Sequence, residues 1–159
     1  KNDEKNISEN LMIVDLLRND LSKCCKLGSV KVTKLFDIES YASVHHMVST
    51  IEGKLNQVDS SINILEACLP GGSITGAPKI RAMEIIDELE TTKRKVYAGG
   101  IGYFSANGEF DTCIALRTAV AKKDKFYVQA GAGIVADSKP LKEYEETVNK
   151  AKALINALK

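Results

Sequence analysis

The sequence predicts an α+β fold, a mainly antiparallel sheet with flanking helices, and three observations carry that prediction. Successive strand-like stretches are joined by tight turn signals, Asn107-Gly108 and Lys123-Asp124, so neighbours should pair as hairpins. Apolar residues at three- and four-residue steps mark helices before, between and after those strands. Nowhere do strand and helix alternate in the βαβ manner of a nucleotide-binding sheet.

Glu4 to Cys25 reads as the first helix, with Leu11, Val14, Leu17 and Leu21 at helical spacing and Gly28 as a stop. Its middle is apolar almost all round, so it should be buried. Val30 to Ile38 alternates like a strand, and Val44 to Leu55 is a second, β-branched one containing His45-His46. The two should pair antiparallel through a turn around Glu39 to Ala42. Asp59 or Ser60 can cap a helix to about Leu69, which Pro70-Gly71-Gly72 breaks. The loop Ser73-Ile74-Thr75-Gly76 leads to Pro78, which suits the first turn of a helix reaching about Glu90. Ile80, Met83, Ile86 and Leu89 form its expected core face. Val96 to Phe104 is a strand broken by glycines, Glu109 to Ala121 its hairpin partner, and Phe126 to Val135 a third antiparallel strand. A last helix runs from about Pro140 to Leu158, its apolar stripe being Tyr144, Val148, Ala151, Ile155 and Leu158.

Bulk properties narrow the function. The 159 residues suit one domain spanning 1–159, and with 44% hydrophobic and 27% charged residues the chain can bury a core. A formal net charge of +1 gives no electrostatic reason to bind nucleic acid or a membrane surface. The longest apolar run, Leu11 to Val14 and then Leu16-Leu17, is too short to cross a bilayer. Lys1 to Asn10 is polar and unlike a secretory signal. Opening without a methionine, in a polar helical pattern, the chain reads as an excised piece of a longer protein. Cys24, Cys25, Cys68 and Cys113 lack zinc-type spacing, which leaves the expectation of reduced thiols in a cytoplasmic protein.

The chemistry-bearing residues lie mostly late in the chain. On the last helix Glu143, Glu146 and Lys150 fall within roughly 60° of one another, away from the apolar stripe. Gly131 and Gly133 let backbone approach a ligand closely. Neither they nor Gly71-Gly72 fit a Walker or dinucleotide fingerprint. Arg117 interrupts the apolar strand Cys113-Ile-Ala-Leu, where a guanidinium must be paired or face a ligand, and Tyr97 on a neighbouring strand could share a carboxylate with it. Glu9, at the edge of the first helix's apolar run, gains meaning if it joins Glu146 on Mg²⁺, a hard cation that takes few carboxylates and keeps waters. Asp15 suits a structural pairing with Arg18. His45 and His46 point to opposite faces of their strand, so at most one reaches a given site. Ser73 and Thr75 precede a helix start, where free N–H groups favour an anion or a simple cap.

Five ordered stretches resemble the chorismate-utilising enzymes: Glu9 to Asp20, Val44 to Thr50, Pro70 to Glu84, Asp111 to Arg117 and Gln129 to Ser138. That family includes anthranilate synthase component I, aminodeoxychorismate synthase component I, and the isochorismate and salicylate synthases. The resemblance covers essentially the whole chain but only the C-terminal part of such an enzyme. Its first three motifs favour the aminodeoxychorismate branch of folate and para-aminobenzoate biosynthesis, with the anthranilate branch of tryptophan biosynthesis as the alternative. The stretch Gly99 to Ser138 is equally at home in both.

The resemblance implies that Glu9 and Glu146 bind Mg²⁺, with Glu143 in or near its outer shell. Arg117 and Tyr97 would hold the enolpyruvyl carboxylate of chorismate with help from the backbone at Gly131 and Gly133. Lys150 would stand near the ring carboxylate, His46 near the leaving hydroxyl, and Ser73 in the pocket wall. Asn6 departs from the family pattern, which has an acidic residue there. In the aminodeoxychorismate reaction an active-site lysine attacks the ring before ammonia enters at C4. In the anthranilate reaction ammonia adds at C2 and pyruvate is eliminated. A glutamine amidotransferase partner would supply the ammonia. The lysine and general acid of the family belong to its N-terminal half, so this piece alone is also readable as an inactive binding half-fold with exposed apolar faces.

Overall fold

The computed structural model describes residues 4–41, 45–56 and 60–158. The chain divides into two compact units, Lys1–Leu89 and Glu90–Lys159.

The first unit opens with α1 (Glu4–Ser22), followed by β1 (Lys31–Ser40) and β2 (His45–Glu52), α2 (Ser61–Cys68), α3 (Gly72–Thr75) and α4 (Lys79–Leu89). β1 and β2 pair antiparallel, as their alternation predicts. The register is irregular between Lys34 and Asp37, where Phe36 adopts φ 57° and its N–H donates to Ser49 Oγ at 3.1 Å instead of to the ladder. Ser60 caps α2 by accepting from the Asn63 N–H; the alternative cap, Asp59, lies outside the described residues, as do Ala42 and Val44. The segment after Pro70, expected to be a loop, contains the single helical turn α3. Pro78 stands just before α4, its carbonyl accepting from the Ala82 N–H at 2.9 Å.

The second unit holds β3 (Gly100–Phe104), β4 (Phe110–Ile114), β5 (Ala119–Lys122), β6 (Lys125–Val128) and α5 (Pro140–Ala157). The Asn107-Gly108 signal is the β3–β4 turn, with Gly108 at φ 89° and Phe104 opposite Phe110. Lys123-Asp124 turns β5 into β6. The class is therefore α+β with antiparallel pairing throughout, arranged among the described residues as three two-stranded sheets.

Three strand expectations are corrected. The stretch expected to begin at Val96 becomes a strand only at Gly100; Tyr97 sits in a turn flanked by Lys95 at φ 54° and Ala98 at φ 69°. That turn is latched to β4's end by Ala98 N–H to Ala115 O (3.1 Å) and Ala115 N–H to Gly99 O (2.7 Å). The partner strand breaks in two, leaving Arg117 in the bend between β4 and β5. The third strand ends at Val128, and 129–135 has no regular structure.

Burial departs further from the periodicity. The apolar core consists of Val14, Cys24, Cys25 and Ile64 in the first unit and Ala98 and Ala115 in the second. α1 is covered on its Val14 side only; Leu11 and Met12 are exposed. The expected core face of α4 is largely bare, Ile80 being 76% exposed. On α5 the expected stripe is exposed as well apart from Ala151, Tyr144 at 66%, while Glu143, Thr147, Lys150 and Leu154 are the better-covered side. Amphipathic spacing fixes which residues share a face, and what lies opposite that face decides whether it is buried. No helix of the described residues is long and apolar enough to cross a membrane, and all four cysteines are free.

Candidate functional site

In the second unit Tyr97, Gly131, Lys150 and Glu146 gather around the irregular segment after β6. α5 places Glu143 in its first turn, where the positive end of the helix dipole favours a carboxylate. The residue is 7% exposed. One and two turns on, the same spacing brings up Glu146 and Lys150. Lys150 Nζ donates to the Gly131 carbonyl at 3.2 Å and forms an ion pair with Glu146. Helical (i, i+4) geometry makes that pair, and the carbonyl fixes where the ammonium points.

Gly131 is hemmed in from another side. A Cβ added there would lie 3.0 Å from the Tyr97 hydroxyl, so glycine is what lets this backbone and the phenol come so close. The Tyr97 ring in turn has the Arg94 guanidinium 5.7 Å from its centroid. Arg94 is held by Glu90 through bonds of 2.6 to 3.1 Å, a pairing that lifts its pKa above the ordinary arginine value. Tyr97, Gly131, Lys150 and Glu146 thus form one connected group with hydroxyl, carbonyl, ammonium and carboxylate functions. An added Cβ on Gly133 would meet nothing within 4 Å, so space is open beside it.

Arg117 is exposed in its bend rather than inward-facing in a strand. It adopts φ 52°, a left-handed conformation that costs a non-glycine residue about 1–2 kcal/mol. Leu116 N–H to Ile114 O (2.7 Å) tightens the turn before it, and Thr118 Oγ donates to Leu116 O at 3.1 Å after it.

The first unit carries Glu9, His46 and Ser73. Glu9 is half-buried on α1, next to Asn10, whose amide ties the helix to β2: it donates to Met47 O at 3.4 Å and accepts from Ser49 Oγ at 2.6 Å. His46 is exposed on β2, opposite Glu39 and edge-on to Tyr41 at 5.7 Å between centroids. His45 meets Ser40 Oγ at 2.9 Å. Ser73 is exposed on α3, while Thr75 bonds back to Gly71 O at 3.0 Å. Asp15 pairs with Arg18 at 3.1 Å, as its spacing suggests. An open depression of about 340 Å³ is lined by that Asp15–Arg18 pair, Asn19 and Lys26 among others and includes none of Glu9, His46 and Ser73.

Two residues stand out in the structure without having stood out in the sequence: Asp20, buried and bonded to Lys79, and Arg94. Asp20 had a visible signal: an acid in the last turn of a helix opposes the dipole there and needs a compensating cation. Arg94 had none, because its relation to Tyr97 depends on a turn built from left-handed residues other than glycine.

Among the described residues no three His, Cys, Asp or Glu side chains are grouped as a metal cage. Mg²⁺ does not ask for one. It takes one or two carboxylates and completes its shell with water and ligand oxygens. Glu143 and Glu146, hard oxygen donors one turn apart on α5, have the chemistry for it.

Residues 1–156 match the family described as chorismate binding enzyme. The chain is 54% identical over 155 residues to anthranilate synthase component 1 of Cereibacter sphaeroides, covering 98% of this chain and 31% of that protein. It is 53% identical over 156 residues to the protein of the same name from Pseudomonas aeruginosa, covering 98% and 32%. The crystal structure of anthranilate synthase component I from Streptococcus pneumoniae is similar with a TM-score of 0.90 and 51% identity, over 96% of this chain and 35% of that one. The menaquinone-specific isochorismate synthase of Escherichia coli follows the same fold at a TM-score of 0.88 and 30% identity, over 99% of this chain and 36% of that one. The chain spans about a third of the length of the curated relatives it matches.

These likenesses overturn the expected aminodeoxychorismate branch. The relatives at 50 to 54% identity carry the anthranilate synthase name. Short motifs that resemble both branches carry little information about which product forms.

Proposed function

This chain belongs to the chorismate binding enzyme family, and we propose that it is the C-terminal part of an anthranilate synthase component I. The reaction would take chorismate and ammonia to anthranilate, pyruvate and water. The observation that carries this reading is the identity, over nearly the whole chain, to relatives bearing that name.

The roles follow from the chemistry of a substrate with two carboxylates. Tyr97 and Arg117 would hold the enolpyruvyl carboxylate, Tyr97 by its hydroxyl beside Gly131 and Arg117 by a two-pronged guanidinium contact. Backbone at Gly131 and Gly133 would complete that wall. Lys150, anchored at the Gly131 carbonyl, would place positive charge near the ring carboxylate. His46 would serve the departing C4 hydroxyl, and Ser73 would line the pocket. Glu9 and Glu146 are the carboxylates proposed for Mg²⁺, with Glu143 in or near its outer shell; the ion when bound would neutralise the ring carboxylate. A glutamine amidotransferase would deliver ammonia to the parent protein, and 1–159 would be its C-terminal chorismate-binding portion.

The test is an assay of the full-length parent protein with chorismate, ammonium and Mg²⁺. Anthranilate fluorescence with stoichiometric pyruvate is expected. Accumulation of 4-amino-4-deoxychorismate without pyruvate would refute the assignment. For the metal, Glu146→Gln should weaken Mg²⁺ binding measured by calorimetry and abolish Mg²⁺-dependent turnover; unchanged affinity would remove Glu146 from the metal set.

A further inference from the structure

The segment 70–78, which carries Ser73, is clasped at both ends by one side chain. Lys79, immediately after it, donates from Nζ to the Cys68 carbonyl just before it at 3.4 Å. The same ammonium reaches Asp20 Oδ2 on α1 at 2.5 Å. Asp20 is 1% exposed, and its other oxygen takes Lys23 Nζ at 3.0 Å. In the middle of the segment, a Cβ on Gly72 would fall 2.7 Å from Leu16 Cδ1, so the backbone lies directly on α1. Burial raises the Cys68 thiol pKa.

Stability alone gives little reason for such a pair. A buried ion pair gains about as much from attraction as it loses in desolvation, and an acid at the end of α1 opposes the helix dipole. Its distinctive product is geometry: one fixed placement of the segment on the helix. Resting on the reading of Ser73 as a pocket residue, we propose that Asp20 and Lys79 are a positioning pair that locks 70–78 onto α1 and so sets where Ser73 meets the substrate.

The test compares Lys79→Met, Lys79→Arg and Ser73→Ala in the full-length parent protein. Lys79→Met is expected to raise the KM for chorismate about tenfold with kcat changed less than about threefold, and to speed amide hydrogen exchange across 71–76 about tenfold. Lys79→Arg, which keeps the cation, should restore most of both. A folded Lys79→Met protein with normal KM and normal exchange overturns the pair, even where Ser73→Ala raises KM. A Ser73→Ala protein with normal KM removes the pocket reading of that serine, and the positioning role with it. Should Lys79→Met fail to fold, Asp20→Asn, which keeps the side-chain shape, is read in the same way. Unfolding of both variants would make the pair a folding requirement and overturn the proposal.

Discussion

Arg117 shows how a residue singled out by its chemistry can stand in a different local structure from the one its neighbours suggest. Its strand neighbours Cys113 to Leu116 suggest a buried guanidinium, yet it lies exposed in a bend at φ 52°. Its proposed grip on a carboxylate depends on two parallel N–H donors, which lysine lacks. Arg117→Lys in the full-length protein should therefore lower kcat/KM for chorismate about 10²-fold, on the order of 2–3 kcal/mol; steady-state kinetics at wild-type values would make this arginine a structural residue. Gly131 offers a complementary test. Gly131→Ala would force a methyl to 3.0 Å from the Tyr97 hydroxyl, so the phenol must shift. We expect the KM for chorismate to rise about tenfold, and a normal KM would separate Tyr97 from substrate binding. Thiol chemistry gives a third prediction. Cys113 is exposed, whereas Cys68 is half-buried with its pKa raised. Since the thiolate is the reactive form, iodoacetamide at neutral pH should label Cys113 well before Cys68, as read by peptide mass spectrometry.

At the scale of elements, local chemistry decides turns more firmly than strand lengths. Asn107-Gly108 specifies the β3–β4 hairpin because Gly108 takes φ 89° without steric penalty. Nothing lies within 4 Å of a Cβ added there, so Gly108→Ala isolates the backbone cost. It should destabilise the protein by about 1 kcal/mol, checked by denaturant unfolding. The strand flanks were less legible. Lys95, Ala98 and Arg117 take left-handed conformations that no glycine announces; the first two lie in the turn that delays β3 to Gly100, and Arg117 lies in the bend that separates β4 from β5. α5 is the opposite case: its bounds follow from Pro140 and the periodic run, but its orientation does not. Its packed side is the one bearing Glu143 and Lys150, because Lys150 finds the Gly131 carbonyl.

For the molecule as a whole, the exposed apolar residues are the dominant physical fact. Leu11, Ile80, Leu89, Ile134, Tyr144 and Ile155 are all uncovered, far more than scattered surface hydrophobes. Apolar surface of this extent drives association, and each two-stranded sheet adds unpaired strand edges. The 159-residue chain expressed alone is therefore expected to self-associate. Light scattering that shows a monodisperse monomer across micromolar concentrations would contradict this.

By itself the sequence determined the α+β class, the two hairpin turns and the family, because turn chemistry, helical periodicity and motif spacing are local and survive any change of surroundings. It also named Glu143, Glu146 and Lys150 as sharing one face of α5. Tertiary structure alone decided which face of each helix is covered, that Tyr97 meets Gly131 from a turn, and that Asp20 is buried against Lys79. Those outcomes depend on partners 34 and 59 positions away in the chain, and no local pattern encodes what will stand opposite a side chain once the backbone has folded.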